Sequence, residues 1–87
     1  MITVEKLNDT TFKVTVQSNT TTTHNVTLSL SYHEKLTHNT ITPEQLIEKS
    51  FEFLLQRESN TSILGSFDLP VINQYFPEYE STIQKMP

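Results

Sequence analysis

Apolar and polar residues alternate along the first third of the chain, with the period of two expected for strands that bury one face. The alternation covers 2–5, 12–17 and 26–32. The turn signal Asn8-Asp9 separates the first two segments, and the polar stretch 18–23 separates the second from the third. Because connections this short join antiparallel neighbours, the pattern predicts a three-stranded antiparallel β-meander with one face in water.

A helical period replaces the alternation in the middle of the chain. Apolar residues recur along one side of a helix over residues 43–57. Thr42 suits the N-cap, Pro43 suits the first helical position, and Gln45 is placed to complete a capping box. The sequence therefore predicts one long helix over 43–57 that covers the apolar face of the sheet.

The last third of the chain predicts two short helical pieces. Asp68 is a candidate N-cap for a helix over 71–76, and Pro77 must interrupt it because proline lacks an amide donor. Residues 77–85 then form a second piece, so the C-terminal pair is kinked at Pro77. We expect one α+β domain over 1–87, a two-layer sandwich with element order βββαα.

Composition and charge narrow the range of functions. The chain has 87 residues and a net charge of −4, and its six basic residues are spread along its length. Nucleic acids and anionic membranes attract clustered positive charge, so we expect neither as a partner. The chain contains no cysteine, its first residues do not read as a signal peptide, and no apolar run could span a bilayer. These features predict a cytoplasmic protein.

The residues that could carry catalysis or bind a metal do not form a known pattern. His24, His33 and His38 are the three histidines, and their spacing is not that of a local zinc site. A metal-dependent hydrolase that uses His33, His38 and Glu34 is an alternative reading. With a single glycine and no Gly-x-Ser-x-Gly, the chain lacks a phosphate-binding loop and a nucleophile elbow. We expect no enzymatic activity, no catalytic residue, no metal and no cofactor.

Two groups of residues are candidates for a binding surface. Aromatic residues are concentrated over 67–79, which is either part of the core or, where exposed, an interface. The aromatic candidates are Phe67, Tyr75, Phe76 and Tyr79. A carboxylate stripe at helical spacing is either a solvated face or a rim that docks a basic partner. The stripe consists of Glu44, Glu48 and Glu52.

The segment 62–80 resembles the C-terminal signature of a family of small bacterial proteins. The resemblance rests on the runs SILGSFDL, VI and YFPEYE. It implies a bacterial origin, and because the family has no assigned activity it implies no chemistry. The succession of strands and a capped helix is also similar to HicB-type antitoxins at the level of the fold alone, and the second half departs from them.

These observations predict a small non-enzymatic module that binds a protein partner or regulates one. The first alternative is a homo-oligomer, built through a sheet edge or through the aromatic segment. A metal-dependent hydrolase and an antitoxin are the further alternatives.

Overall fold

The computed structural model describes residues 1–85; residues 86 and 87 of the predicted domain lie outside the described residues. The described chain has an α+β fold, which confirms the predicted class. Its strands are β1 (Ile2–Lys6), β2 (Thr11–Gln17), β3 (Thr21–Thr27) and β4 (Ser66–Asp68). Its helices are α1 (Leu30–Thr37), α2 (Pro43–Leu55), α3 (Val71–Tyr75) and α4 (Tyr79–Lys85), with one 3₁₀ turn at Asn60–Ser62.

The strands form one mixed sheet in the order β1-β2-β3-β4. β1, β2 and β3 are antiparallel neighbours, as predicted, and Val14 of β2 lies between Val4 of β1 and His24 of β3. The inner face of β2 is fully buried, and the outer face of the sheet carries polar side chains such as Thr3, Thr15 and Thr23 in one row. The core therefore lies between the sheet and the helices on its inner face.

The position predicted for the third strand, 26–32, is wrong. β3 is Thr21–Thr27, so the second half of the predicted loop 18–23 is strand and only residues 26 and 27 of the predicted strand belong to β3. Threonine is β-branched and fits a pleated surface, and Thr21 and Thr23 occupy the exposed positions of β3 while His24 and Val26 face the core. Because every outward position of β3 carries a polar side chain, the segment has the composition that is also typical of a loop.

Helix α1 begins at Leu30, inside the segment 26–32 that was predicted to be the third strand. Ser29 is its N-cap, and the Ser29 hydroxyl accepts a hydrogen bond from the Tyr32 amide at 3.1 Å. Leu28, Tyr32 and Leu36 are buried, whereas Leu30 is 63% exposed. Burial thus follows a spacing of four residues rather than two, which is the spacing of a helix face.

Strand β4 was not predicted, and it makes the sheet mixed rather than antiparallel. It runs parallel to β3, with the Asn25 amide donating to the Gly65 carbonyl at 2.8 Å and the Leu69 amide donating to the Thr27 carbonyl at 2.9 Å. Parallel pairing requires a long crossover, and the chain between β3 and β4 supplies one that contains α1 and α2. Asp68 lies in β4, so its predicted role as an N-cap is wrong.

Helix α2 begins as predicted. The Thr42 hydroxyl accepts a hydrogen bond from the Gln45 amide at 3.1 Å, and the Gln45 side chain accepts one from the Thr42 amide at 2.9 Å. This capping box confirms the start at Pro43, and the helix ends at Leu55 rather than at residue 57.

The C-terminal helices are interrupted at Pro77, as predicted. α3 ends at Tyr75 and α4 begins at Tyr79. With α1, which was not predicted, the described chain has four α-helices rather than the expected three. None of these helices combines the length and the apolar character needed to cross a membrane.

Candidate functional site

An apolar groove opens on the surface where the end of α2, the segment 60–68 and α3 meet. Its cavity measures about 300 Å³. Most of the side chains around it are aliphatic or aromatic, and we call it the C-terminal groove. It is lined by Leu54, Glu58, Ser62, Ile63, Leu64, Phe67, Val71, Ile72, Tyr75 and Phe76.

Two large apolar side chains stand exposed at this groove. Leu64 is 46% exposed and Tyr75 is 66% exposed. Single exposed apolar residues are common on protein surfaces, but here both flank one concave apolar surface. Phe67 and Phe76, which also line the groove, are half-buried and pack against the core. The groove therefore offers apolar surface that the fold itself leaves in contact with water.

The floor of the groove belongs to the hydrophobic core. Leu54, Ile63 and Ile72 are buried in it. The Phe67 ring lies 6.1 Å from the ring of Phe51, measured between centroids, and Phe51 is fully buried. Aromatic contacts of this length are favourable, so the groove is built on rigid packing.

Hydrogen bonds from the β2–β3 hairpin fix the wall that contains Leu64. The Nδ1 atom of buried His24 lies 2.7 Å from the Leu64 carbonyl oxygen. Asn60, at the start of the same segment, donates from Nδ2 to the Thr20 carbonyl at 2.6 Å and to the Thr22 hydroxyl at 3.1 Å. These long-range bonds hold the segment 60–68 against the sheet, so this wall of the groove exists without a ligand.

Arg57 lies next to Phe76, which lines the groove, with its central guanidinium carbon 6.0 Å from the centroid of the Phe76 ring. Its guanidinium lies over the Phe53 ring, with the central carbon 3.5 Å from the ring centroid, and Nη1 donates to the Phe53 carbonyl at 3.0 Å. Nε donates to a Glu78 carboxylate oxygen at 3.3 Å. The Phe76 ring also lies near, with a T-shaped contact of 5.9 Å to Phe53. Arg57 therefore joins the end of α2 to the turn around Pro77.

The groove carries a negative charge. Of its described lining residues, Glu58 is the one with a formal charge at pH 7, and the whole chain has a net charge of −4. The nearby Arg57 is already paired with Glu78 and stacked on Phe53. A ligand that combines an apolar part with a positive charge is complementary to this arrangement.

The structure brings together three of the four predicted aromatic residues. Phe67, Tyr75 and Phe76 line the C-terminal groove. Tyr79 does not, because it is 0% exposed and its hydroxyl lies 2.6 Å from the hydroxyl of Ser50 inside the core. Tyr79 is therefore part of the core and does not belong to the candidate surface.

The predicted carboxylate stripe lies apart from the groove. Glu48 and Glu52 are exposed and Glu44 is half-buried, and none of the three lines the cavity. The acidic residue of the groove is Glu58, which lies beyond the predicted helix 43–57 and was not among the predicted candidates. Glu58 follows the end of α2, where its amide donates to the Leu54 carbonyl at 2.9 Å. Its spacing of four residues from the apolar Leu54 is the signal that would have placed it beside the core.

The histidines are not gathered into a metal site. The Nε2 atom of buried His33 lies 2.7 Å from the Ile41 carbonyl oxygen, and the His24 ring is engaged by Leu64 and Thr22. His38 is exposed and ends α1 in a left-handed conformation. Within residues 1–85 no three side chains of the metal-binding types come together.

The fold and the groove describe a small α+β domain with a preformed apolar surface site. No known protein family, no curated protein and no solved structure matches the chain significantly. The resemblances to a small bacterial family and to HicB-type antitoxins therefore stay predictions.

Proposed function

We propose that this protein is a non-enzymatic protein-binding module whose C-terminal groove receives apolar side chains of a partner. The observation that carries this proposal is the exposure of Leu64 and Tyr75 at a concave apolar site whose wall at Leu64 is held by internal hydrogen bonds. When a partner covers this site, the exposed apolar surface of Leu64 and Tyr75 is removed from water, which favours binding.

The size of the groove limits what it can accept. A volume of about 300 Å³ lies at the small end of the range for ligand sites, which run from about 300 to 1,000 Å³. It suits one or two large side chains that anchor a peptide. Each fully buried anchor contributes about 1.5–3 kcal/mol, so the groove alone supports a transient complex.

Charge defines the partner further. The Glu58 carboxylate stands at the groove, and the chain as a whole is acidic. A lysine or arginine next to the apolar anchor gains an ion pair there, whereas an acidic neighbour is repelled. The partner segment therefore combines an aliphatic or aromatic residue with an adjacent basic residue.

A selection from random displayed peptides tests this proposal. Peptides selected on the wild-type protein are expected to contain a large apolar residue beside Lys or Arg. Selection on Glu58→Gln is expected to keep the apolar residue and lose the basic one, because only the charge of the site has changed.

The matched control is a pair of leucine substitutions. Leu64→Ser removes apolar surface from the groove, whereas Leu30→Ser removes a similarly exposed leucine that does not line it. The selected peptides should bind Leu30→Ser as they bind wild type and should bind Leu64→Ser weakly. Peptides that bind both variants equally would refute the groove as the site.

A further inference from the structure

Strand β1 is an edge of the sheet, because it pairs with β2 on one side only. The ladder shows which of its backbone groups face β2. The Gln17 amide donates to the Met1 carbonyl at 2.8 Å, and the Leu7 amide donates to the Thr11 carbonyl at 2.9 Å. Since backbone groups alternate along an antiparallel strand, all odd-numbered residues of β1 bond to β2.

The even-numbered residues of β1 therefore point their backbone groups away from the sheet. Ile2, Val4 and Lys6 each present an N–H and a C=O at this edge, and no hydrogen bond within the described residues engages them. The side chains of Ile2 and Val4 face the core but are only half-buried. Such an edge pairs readily with another strand.

We propose that β1 pairs with β1 of a second copy of this chain, antiparallel and centred on Val4. The pairing is isologous, because one two-fold axis relates the two copies and the same edge serves both. It joins the two sheets into one continuous sheet, so the outward backbone groups of β1 are hydrogen-bonded in both copies. This inference is independent of the C-terminal groove.

Hydrogen bonding favours Val4 as the centre. Registers centred on Thr3, Val4 or Glu5 all keep the inner faces of the two sheets on one side. Centring on Val4 places Ile2 opposite the partner's Lys6 and Val4 opposite the partner's Val4, so every outward backbone group of β1 is paired. Either shifted register leaves one outward residue of each strand unpaired within β1.

The side chains favour the same centre. Met1 is 82% exposed and Leu7 is 50% exposed at the two ends of β1, and this register sets them directly opposite each other across the axis. Met1 and the partner's Leu7 form a non-hydrogen-bonded pair, the kind of antiparallel pair in which side chains approach most closely. Glu5 meets Thr3 of the partner, whereas a register centred on Glu5 would oppose two carboxylates.

Engineered cysteines test the register directly. The chain contains no cysteine, so any disulfide reports the introduced sites alone. In the proposed register Thr3 lies opposite the partner's Glu5 with a Cα separation of about 4.5 Å, which a disulfide can bridge. Mixing Thr3→Cys with Glu5→Cys under mild oxidation should give a covalent dimer of twice 10.1 kDa.

Each cysteine variant oxidised alone is the control. Thr3→Cys alone would cross-link in a register centred on Thr3, and Glu5→Cys alone would cross-link in one centred on Glu5. The mixture should therefore cross-link faster than either variant by at least about tenfold, since proximity decides the rate. Equal rates in all three samples would overturn the proposal.

Sedimentation equilibrium tests the assembly without cysteines. Wild type should show a monomer–dimer equilibrium, and Val4→Pro should raise the dissociation constant by at least about tenfold. Proline removes an outward N–H that β2 does not use, so an edge strand tolerates it while the dimer loses bonds in both copies.

A pair of lysine substitutions tests the dimer without changing the backbone. Leu7→Lys should weaken the dimer, whereas Leu30→Lys, at an exposed leucine away from β1, should leave its dissociation constant unchanged. A wild-type mass that stays monomeric at millimolar concentration would overturn the proposal.

Discussion

Two tyrosine hydroxyls attach helix α4 to the rest of the molecule. The Ser50 hydroxyl donates to the Leu46 carbonyl at 2.7 Å, so in the contact of 2.6 Å between Ser50 and Tyr79 the tyrosine is the donor. Tyr32 donates to a Glu80 carboxylate oxygen at 2.8 Å. Burial raises the pKa of both phenols, and for Tyr32 the hydrogen bond to Glu80 raises it further.

Tyr79→Phe isolates the contribution of one of these hydroxyls. The ring still fills its place in the core, but the Ser50 oxygen loses its donor. We expect the free energy of unfolding to fall by about 1 kcal/mol, measured by urea denaturation. Tyr75→Phe is the control, because Tyr75 is exposed and makes no such bond among the described residues. An equal loss in both variants would contradict this account of Tyr79.

The raised pKa values predict a loss of stability at alkaline pH. Above about pH 10 the tyrosines of the unfolded chain ionise while buried Tyr32 and Tyr79 keep their protons. The unfolded state then binds fewer protons, so the free energy of unfolding decreases with rising pH, by up to about 1.4 kcal/mol per pH unit for each group. Urea denaturation between pH 8 and 11 measures this. Tyr79→Phe should show a smaller slope, and an unchanged slope would contradict the assignment.

At the level of the elements, Arg57 joins the end of α2 to the turn between α3 and α4. It acts through three contacts, which are the stack on Phe53, the bond to the Phe53 carbonyl and the pair with Glu78. The pair with Glu78 is partly solvated, so most of the stabilisation comes from the stack and the carbonyl bond.

Two substitutions separate these contributions. Arg57→Ala should lower the free energy of unfolding by about 1–3 kcal/mol, since it removes all three contacts. Glu78→Gln should lower it by less than about 1 kcal/mol, since it removes only the ion pair. Thermal or urea denaturation at low and high salt measures both. A loss for Glu78→Gln as large as that for Arg57→Ala would show that the ion pair dominates.

Local signals predicted some elements and missed others. Helix α2 followed from Thr42, Pro43 and Gln45, because a capping box is encoded within four residues. The boundary between β3 and α1 could not be predicted in this way, because the apolar positions over 26–32 fit a strand as well as the first turn of a helix. Ser29 was the available sign of a helix start.

At the scale of the whole molecule, the aromatic part of the site was predictable but its surroundings were not. Phe67, Tyr75 and Phe76 stood out as a dense aromatic segment. Leu64 reaches the same groove only because β4 pairs in parallel with β3 and His24 holds the Leu64 carbonyl. Contacts between residues forty positions apart leave no local pattern in one sequence.

The affinity of one selected peptide for three proteins tests the binding role of the C-terminal groove most directly. The proteins are wild type, the double variant Leu64→Ser, Tyr75→Ser, and the control Leu30→Ser, and isothermal titration gives each dissociation constant. We predict that the double variant weakens binding by at least about tenfold while the control stays within about twofold of wild type, since loss of a buried apolar anchor costs about 1.5 kcal/mol or more. Equal affinity for all three proteins would contradict the assignment of the groove as the binding site.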